Sequence, residues 1–289
     1  MNLRLLRHAL ATLIALVAFG ALPAGASAYA PAGSAAIHPG VMTETDGAQC
    51  TSNFVFTSTS KGHRRKGPGG KKHKRKVKTT TYLGQAAHCS GTGESTETDG
   101  CSAKSLPLGT EVDVDGAKEP GTLVYDSWLT MQALGETDEE TCAFNDLALI
   151  RLSRSDAQSV NPSIPSFGGP AGIGEAAPGD TVYTYGNSSL RGGAGELSPK
   201  SGSVVDRSQG GWSYTVYTSS PGVPGDSGSA FLNAQGQALG VLSTVAIAPL
   251  PGSNGVGSIA KELAYARAHG FGKLKLADGT EPFAPGAVG

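Results

Sequence analysis

Gly225-Asp226-Ser227-Gly228 follows, far along the chain, Ala86-Ala87-His88-Cys89 and Asn145-Asp146-Leu147-Ala148-Leu149-Ile150. A serine hydroxyl is a weak nucleophile at neutral pH. It becomes effective when a neutral imidazole lies within hydrogen-bond reach and a buried carboxylate fixes that imidazole's tautomer. Ser227, His88 and Asp146 supply these three group types, each in its own short context. Read singly, each has an ordinary meaning: Asp146 capping a turn before a strand, Gly225 to Gly228 forming a glycine turn, His88 being a satisfied core histidine. The other histidines sort away from it. His8 lies in the leader, His63 and His73 in a basic run, and His38 and His269 near the ends of the mature chain.

The chain order is His, Asp, Ser. Enzymes with a serine elbow run Ser, Asp, His, and subtilisin-like ones run Asp, His, Ser. The three contexts in this order resemble the chymotrypsin/trypsin-like serine endopeptidases, in particular their small secreted bacterial branch, over residues 37–269. The resemblance implies an all-β fold of two six-stranded antiparallel Greek-key barrels, with the active site between them and a C-terminal helix. It also implies catalysis by His88, Asp146 and Ser227 through an acyl-enzyme, with the amides of Gly225 and Ser227 forming the oxyanion hole. No cofactor and no metal are expected. Protein or peptide substrates are.

Short runs rich in Val, Thr, Tyr and Leu, punctuated by 42 Gly and 17 Pro, agree with such a fold. Strands are expected at 53–58, 79–85, 111–114, 122–128 and 147–152, then at 181–185, 202–205, 213–218, 230–232 and 238–245. One helix is expected at 259–268, where Ile259, Leu263 and Ala266 share a face. The resulting division is a signal peptide at 1–28, a short pro-segment at 29–36, a first barrel at 37–165, a second barrel with the helix at 166–270, and a tail at 271–289. The connection falls in 161–179.

Arg4 and Arg7 precede an apolar run from Leu10 to Leu22 and an Ala26-Ser27-Ala28 cleavage pattern, which reads as an export signal. Thirteen apolar residues are fewer than the roughly 20 that a transmembrane helix needs. A secreted, extracellular monomer without a membrane span is expected, beginning at Tyr29, with cleavage after Ala26 as the competing choice. In an exported chain, Cys50, Cys89, Cys101 and Cys142 read as two disulfides, and no C-x-x-C pair is present to build a zinc site. Three pairings are open from sequence. The resemblance favours Cys50 with Cys89, which leaves Cys101 with Cys142.

Charge is unevenly distributed. Of 23 Lys and Arg, ten lie between Lys61 and Lys78 and two in the leader, which leaves 11 against 24 Asp and Glu. This basic loop reads either as a solvated, self-repelling tip or as a dock for a polyanion. No aromatic residue interleaves with its charges, so base stacking has little support.

Pocket residues are assigned by resemblance. Pro221 stands where Lys/Arg-cleaving relatives have an acid, and Ser243-Thr244-Val245 corresponds to the strand that pairs with substrate. A branched Val245 where many relatives have Gly narrows the pocket, so the expected preference at P1 is for small or medium apolar side chains. By the same resemblance, Asp226, the acid before the nucleophile, has Ile37 as a candidate partner if processing frees an amino terminus there, with a mature terminus at Tyr29 as the alternative. Two functions follow from the sequence: a secreted endopeptidase, or a catalytically weak protease-like protein that binds polyanions through its basic loop.

Overall fold

The computed structural model describes residues 29–61, 77–93, 97–246 and 250–286. The signal-peptide reading at 1–28 and most of the basic loop, residues 62–76, lie outside the described residues.

Seven strands build the first half: β1 (Met42–Thr45), β2 (Ala48–Thr51), β3 (Val55–Lys61), β4 (Val77–Ala86), β5 (Glu111–Val114), β6 (Gly121–Asp126) and β7 (Leu147–Arg151). The second half holds β8 (Thr181–Tyr185), β9 (Pro199–Arg207), β10 (Ser213–Thr218), β11 (Ala230–Asn233), β12 (Ala238–Val245) and β13 (Asn254–Ser258), with β14 (Lys275–Leu276) in the tail. The second set closes into a six-stranded barrel in the order β10-β13-β12-β11-β8-β9. The first is an eight-stranded open sheet, β14-β3-β4-β7-β6-β5-β1-β2, where a closed six-stranded barrel was expected. Two strands exceed the expected six. β2 extends one edge by pairing with β1, and the tail returns to lay β14 beside β3 at the other, pairing Lys275 with Thr57.

The strands follow their side-chain patterns. β5 alternates exposed Glu111 and Asp113 with buried Val112 and Val114, the signature of a strand wet on one face. The apolar run Leu147 to Ile150 is buried on both faces, as its central place between β4 and β6 requires. The expected strand at 122–128 stops early, because Asp126 accepts a hydrogen bond from Leu129 N and caps helix α1 (Ser127–Leu134). Gly135, at φ 66°, ends that helix in a left-handed turn. A second short helix, α2 (Glu139–Phe144), is capped by Asp138, and the expected helix appears as α3 (Ile259–Ala268) with Ile259, Leu263 and Ala266 buried.

One core cluster joins the two halves. Phe54, Phe56, Tyr125 and Leu147 of the first sheet pack with Leu232 and Val241 of the barrel and with Ile259 and Leu263 of α3. The two halves are therefore packed together through one shared core. The disulfides are Cys50–Cys89 and Cys101–Cys142.

Candidate active site

His88 lies in a single 3-10 turn, Ala87–Ser90, directly after β4. Its place is fixed twice. Ala87 N donates to Asp146 O at 3.0 Å, and the neighbouring Cys89 is bonded to Cys50 of β2. Asp146 sits between α2 and β7, 2% exposed. Its Oδ1 accepts from His88 N at 2.9 Å, and its Oδ2 faces His88 Nδ1 at 2.7 Å. Ser243 Oγ of β12 donates to the same Oδ2, so the second barrel also grips this carboxylate. Burial disfavours a charged His88, but the charge and hydrogen bond of Asp146, helped by Asp126, outweigh it and raise the imidazole pKa above 6.5.

Ser227 lies on the turn before β11. Gly225 and Gly228 have φ of 94° and 87°, a region that side chains strain to enter. A Cβ at Gly228 would come 2.5 Å from Thr51 O, so only glycine lets this turn approach β2. The approach is used: Thr51 N donates to Ser227 O at 2.8 Å, and Gly228 N to Leu242 O at 2.7 Å. Asp226 N donates to Val223 O, whereas the amides of Gly225 and Ser227 have no acceptor among the described residues. These are the two expected oxyanion donors. The Ser227 hydroxyl makes no hydrogen bond among the described residues, to His88 or otherwise. In a resting hydrolase the nucleophile and base are often this loosely arranged and tighten on substrate.

Asp226 points inward, 1% exposed, and binds Arg191 and, at 3.1 Å, Lys200 Nζ. The amides of Ser188 and Val223 donate to it as well. Ile37 was the candidate partner if processing frees it as an amino terminus; in the unprocessed chain it has none to offer. Ile37 is instead fully buried in a bridge to Val160, its N–H on Ser159 O, and two side-chain cations hold Asp226. Lys200 Nζ also donates to Pro221 O at 3.0 Å, tying Pro221 to the Asp226 cluster beneath Ser227.

Gly222, next to Pro221, approaches β12 and β13 closely. Gly222 N donates to Asn254 Oδ1, and a Cβ placed on Gly222 would lie 3.0 Å from Leu242 Cδ2 and 3.2 Å from Val245 Cγ2. The Gly222 turn and β12 are therefore nearly in contact. Behind them a cavity of about 10 Å³, lined by Lys200, Asp226 and Asn254 among others, has room for one water. Ser243 turns its hydroxyl to Asp146, while Val245 remains 42% exposed. The two cysteine-containing clusters with metal-like spacing, around Cys50 and around Cys101, are occupied by the disulfides.

Two buried carboxyls beneath the site were not foreseen. Glu262 Oε1 accepts from Asp146 N at 3.1 Å, while its Oε2 has no partner among the described residues. Burial and the nearby Asp146 charge push its pKa up to about 8. Burial likewise pushes Asp126 up to about 7. The sequence carried a signal for Glu262, which falls at i+3 from Ile259 and i−1 from Leu263, inside the apolar stripe of α3. Nothing local marked Arg191 and Lys200 as partners of Asp226.

The trypsin-like peptidase domain family matches residues 86–241, and this chain belongs to it. It is a serine-type endopeptidase of the chymotrypsin-like two-barrel fold. Thermobifida fusca Protease A has a similar structure, with a TM-score of 0.50 at 19% identity over 84% of this chain and 99% of that one. Nocardiopsis protease is similar at 0.44 and 17% over 83% and 98%. A glutamic-acid-specific serine protease that uses a histidine triad in substrate binding is similar at 0.48 and 16% over 80% and 97%. No curated protein matches the chain.

Proposed function

We propose that this chain is a secreted endopeptidase in which Ser227 attacks the scissile carbonyl, His88 takes and returns the proton, and Asp146 orients the imidazole. The observation that carries the reading is the grip on Asp146. Two hydrogen bonds from His88 and one from Ser243 leave it one orientation, with the imidazole edge bearing Nε2 free for Ser227. The free amides of Gly225 and Ser227 support an oxyanion hole, where each donor contributes on the order of 3 kcal/mol to transition-state stabilisation. Two disulfides and the leader sequence support export, to act extracellularly as a monomer.

For specificity, the near contact of Gly222 with Val245 supports a shallow pocket for small or medium apolar P1 side chains such as Ala or Val. Pro221, Ser243, Thr244 and Val245 are its proposed wall. A peptide library cleaved by the secreted protein tests this: Ala and Val should dominate P1, and Val245→Gly should admit Phe and Leu. Dominant cleavage after Arg, Lys or Phe by the wild type would refute it. A polyanion contact through Lys61 to Lys78 is proposed on charge alone. It requires retention on a polyphosphate matrix that salt abolishes.

A further inference from the structure

β4 is longer than the strand that covers it. Its residues Val77 to Leu83 pair with β3, but β7 pairs with it only from Tyr82 onward. The last bond on that side runs from Leu152 N to Thr81 O at 3.2 Å, after which the chain turns away through residues 153–158. Gly84 exchanges its backbone bonds with Phe54 and Asn53 on the β3 side, so even-numbered residues of β4 face β3 and odd-numbered ones face the β7 side. Thr79 therefore presents both N–H and C=O to open space, and Thr81 its N–H, with no backbone partner among the described residues.

A groove of about 360 Å³ runs along this edge. Lys78, Arg151 and Arg154 line it, and no carboxylate does. None of the three cations forms an ion pair among the described residues. Lys78 shares a sheet face with Tyr82, which is paired directly with Arg151, so these two cations project from the same side. A single edge lysine is a common guard against unwanted pairing. Three unpaired cations around an open strand edge supply something more specific: hydrogen bonds of ladder spacing flanked by positive charge on one face. Val77, 61% exposed, adds an apolar foothold at the strand's start.

We propose that this groove docks an extended acidic peptide segment, which adds as a strand beside Thr79 and Thr81 and places alternate carboxylates against Lys78, Arg151 and Arg154. A strand's two-residue period puts every second side chain on the cationic face. Thr79 lies roughly 25 Å along β4 from the turn that carries His88, given about 3.3 Å per residue. Taken with the endopeptidase reading, on which its role rests, the groove is an exosite for acidic stretches of protein substrates. Turnover of short substrates does not depend on it.

The test uses Ser227→Ala full chain and a fluorescent peptide of alternating Glu and Val, read by anisotropy. Saturable binding should weaken about tenfold or more in Arg151→Glu/Arg154→Glu, a range typical of lost charge pairs. It should weaken similarly in Thr79→Pro, which removes the outward N–H and leaves the β3 ladder whole. Inorganic polyphosphate should be indifferent to Thr79→Pro. Fluorophosphonate labelling of Ser227 in the same groove variants, made on the wild-type background, should be unchanged, which separates failure of the exosite from failure of the catalytic reading and from misfolding. The proposal is overturned by absence of saturable peptide binding, by binding that ignores Thr79→Pro, or by binding that ignores the two charge reversals.

Discussion

The two halves fasten their parts of the active site by different means. In the first, the turn bearing His88 is bonded covalently to β2 through Cys50–Cys89, and Cys101–Cys142 ties the segment before Asp146 to the loop ahead of β5. In the second, no disulfide is present among the described residues, and the turn bearing Ser227 is held by one buried carboxylate, Asp226, under two cations. The difference teaches where each half is vulnerable. Covalent bracing responds to reduction, whereas a buried ion cluster responds to loss of one charge, because the surviving charges remain desolvated.

Asp146→Asn preserves shape but allows the wrong imidazole tautomer, and kcat/KM should fall by about 10⁴-fold. Steady-state kinetics on a peptide ester reads this directly. Asp226→Asn leaves Arg191 and Lys200 buried around a neutral amide and should cost about 3–5 kcal/mol of stability, measured by denaturant unfolding. Removing the first half's second staple, with Cys101→Ala and Cys142→Ala together, should cost about 2–4 kcal/mol. A loss larger than that of Asp226→Asn would reverse the assignment of the more sensitive half.

Glu262 sharpens the comparison because it belongs to α3 of the second half yet holds Asp146 of the first. Its folded pKa is raised to about 8 from an ordinary 4.5. The unfolded chain thus releases this proton first, and Glu262 subtracts stability progressively as pH rises from about 4.5 to about 8. Glu262→Gln stays neutral and retains an acceptor for Asp146 N. Its advantage over the wild type in thermal unfolding should be absent near pH 4, grow to about pH 8 and then level off. A pH-independent difference would count against a protonated Glu262.

The sequence was most legible where one residue type performs one local job. The strands 111–114, 181–185, 213–218 and 238–245 were read to the residue, because alternation and bounding turns are local signals. His88 and Asp146, each marked by its local context, stand 2.7 Å apart at Nδ1 and Oδ2. Strand β13, by contrast, reads Asn-Gly-Val-Gly-Ser, and its glycines are explained only by close neighbours: a Cβ at Gly257 would strike Glu262 Oε1, and one at Gly255 Thr244 Oγ1. The partners of Asp226 were hidden for a similar reason. Arg191 and Lys200 are 35 and 26 residues away, and their pairing depends on how β9 and the preceding loop fold back.

Fluorophosphonate labelling of the purified protein, with Ser227→Ala and His88→Ala alongside, measures directly whether Ser227 is an activated nucleophile. Ser227 should label in the wild type and in neither variant, with a rate that rises with pH through a value above 6.5, because the raised pKa of His88 keeps the base protonated below it. Absence of labelling in the folded wild type, or labelling that survives Ser227→Ala, would contradict the account.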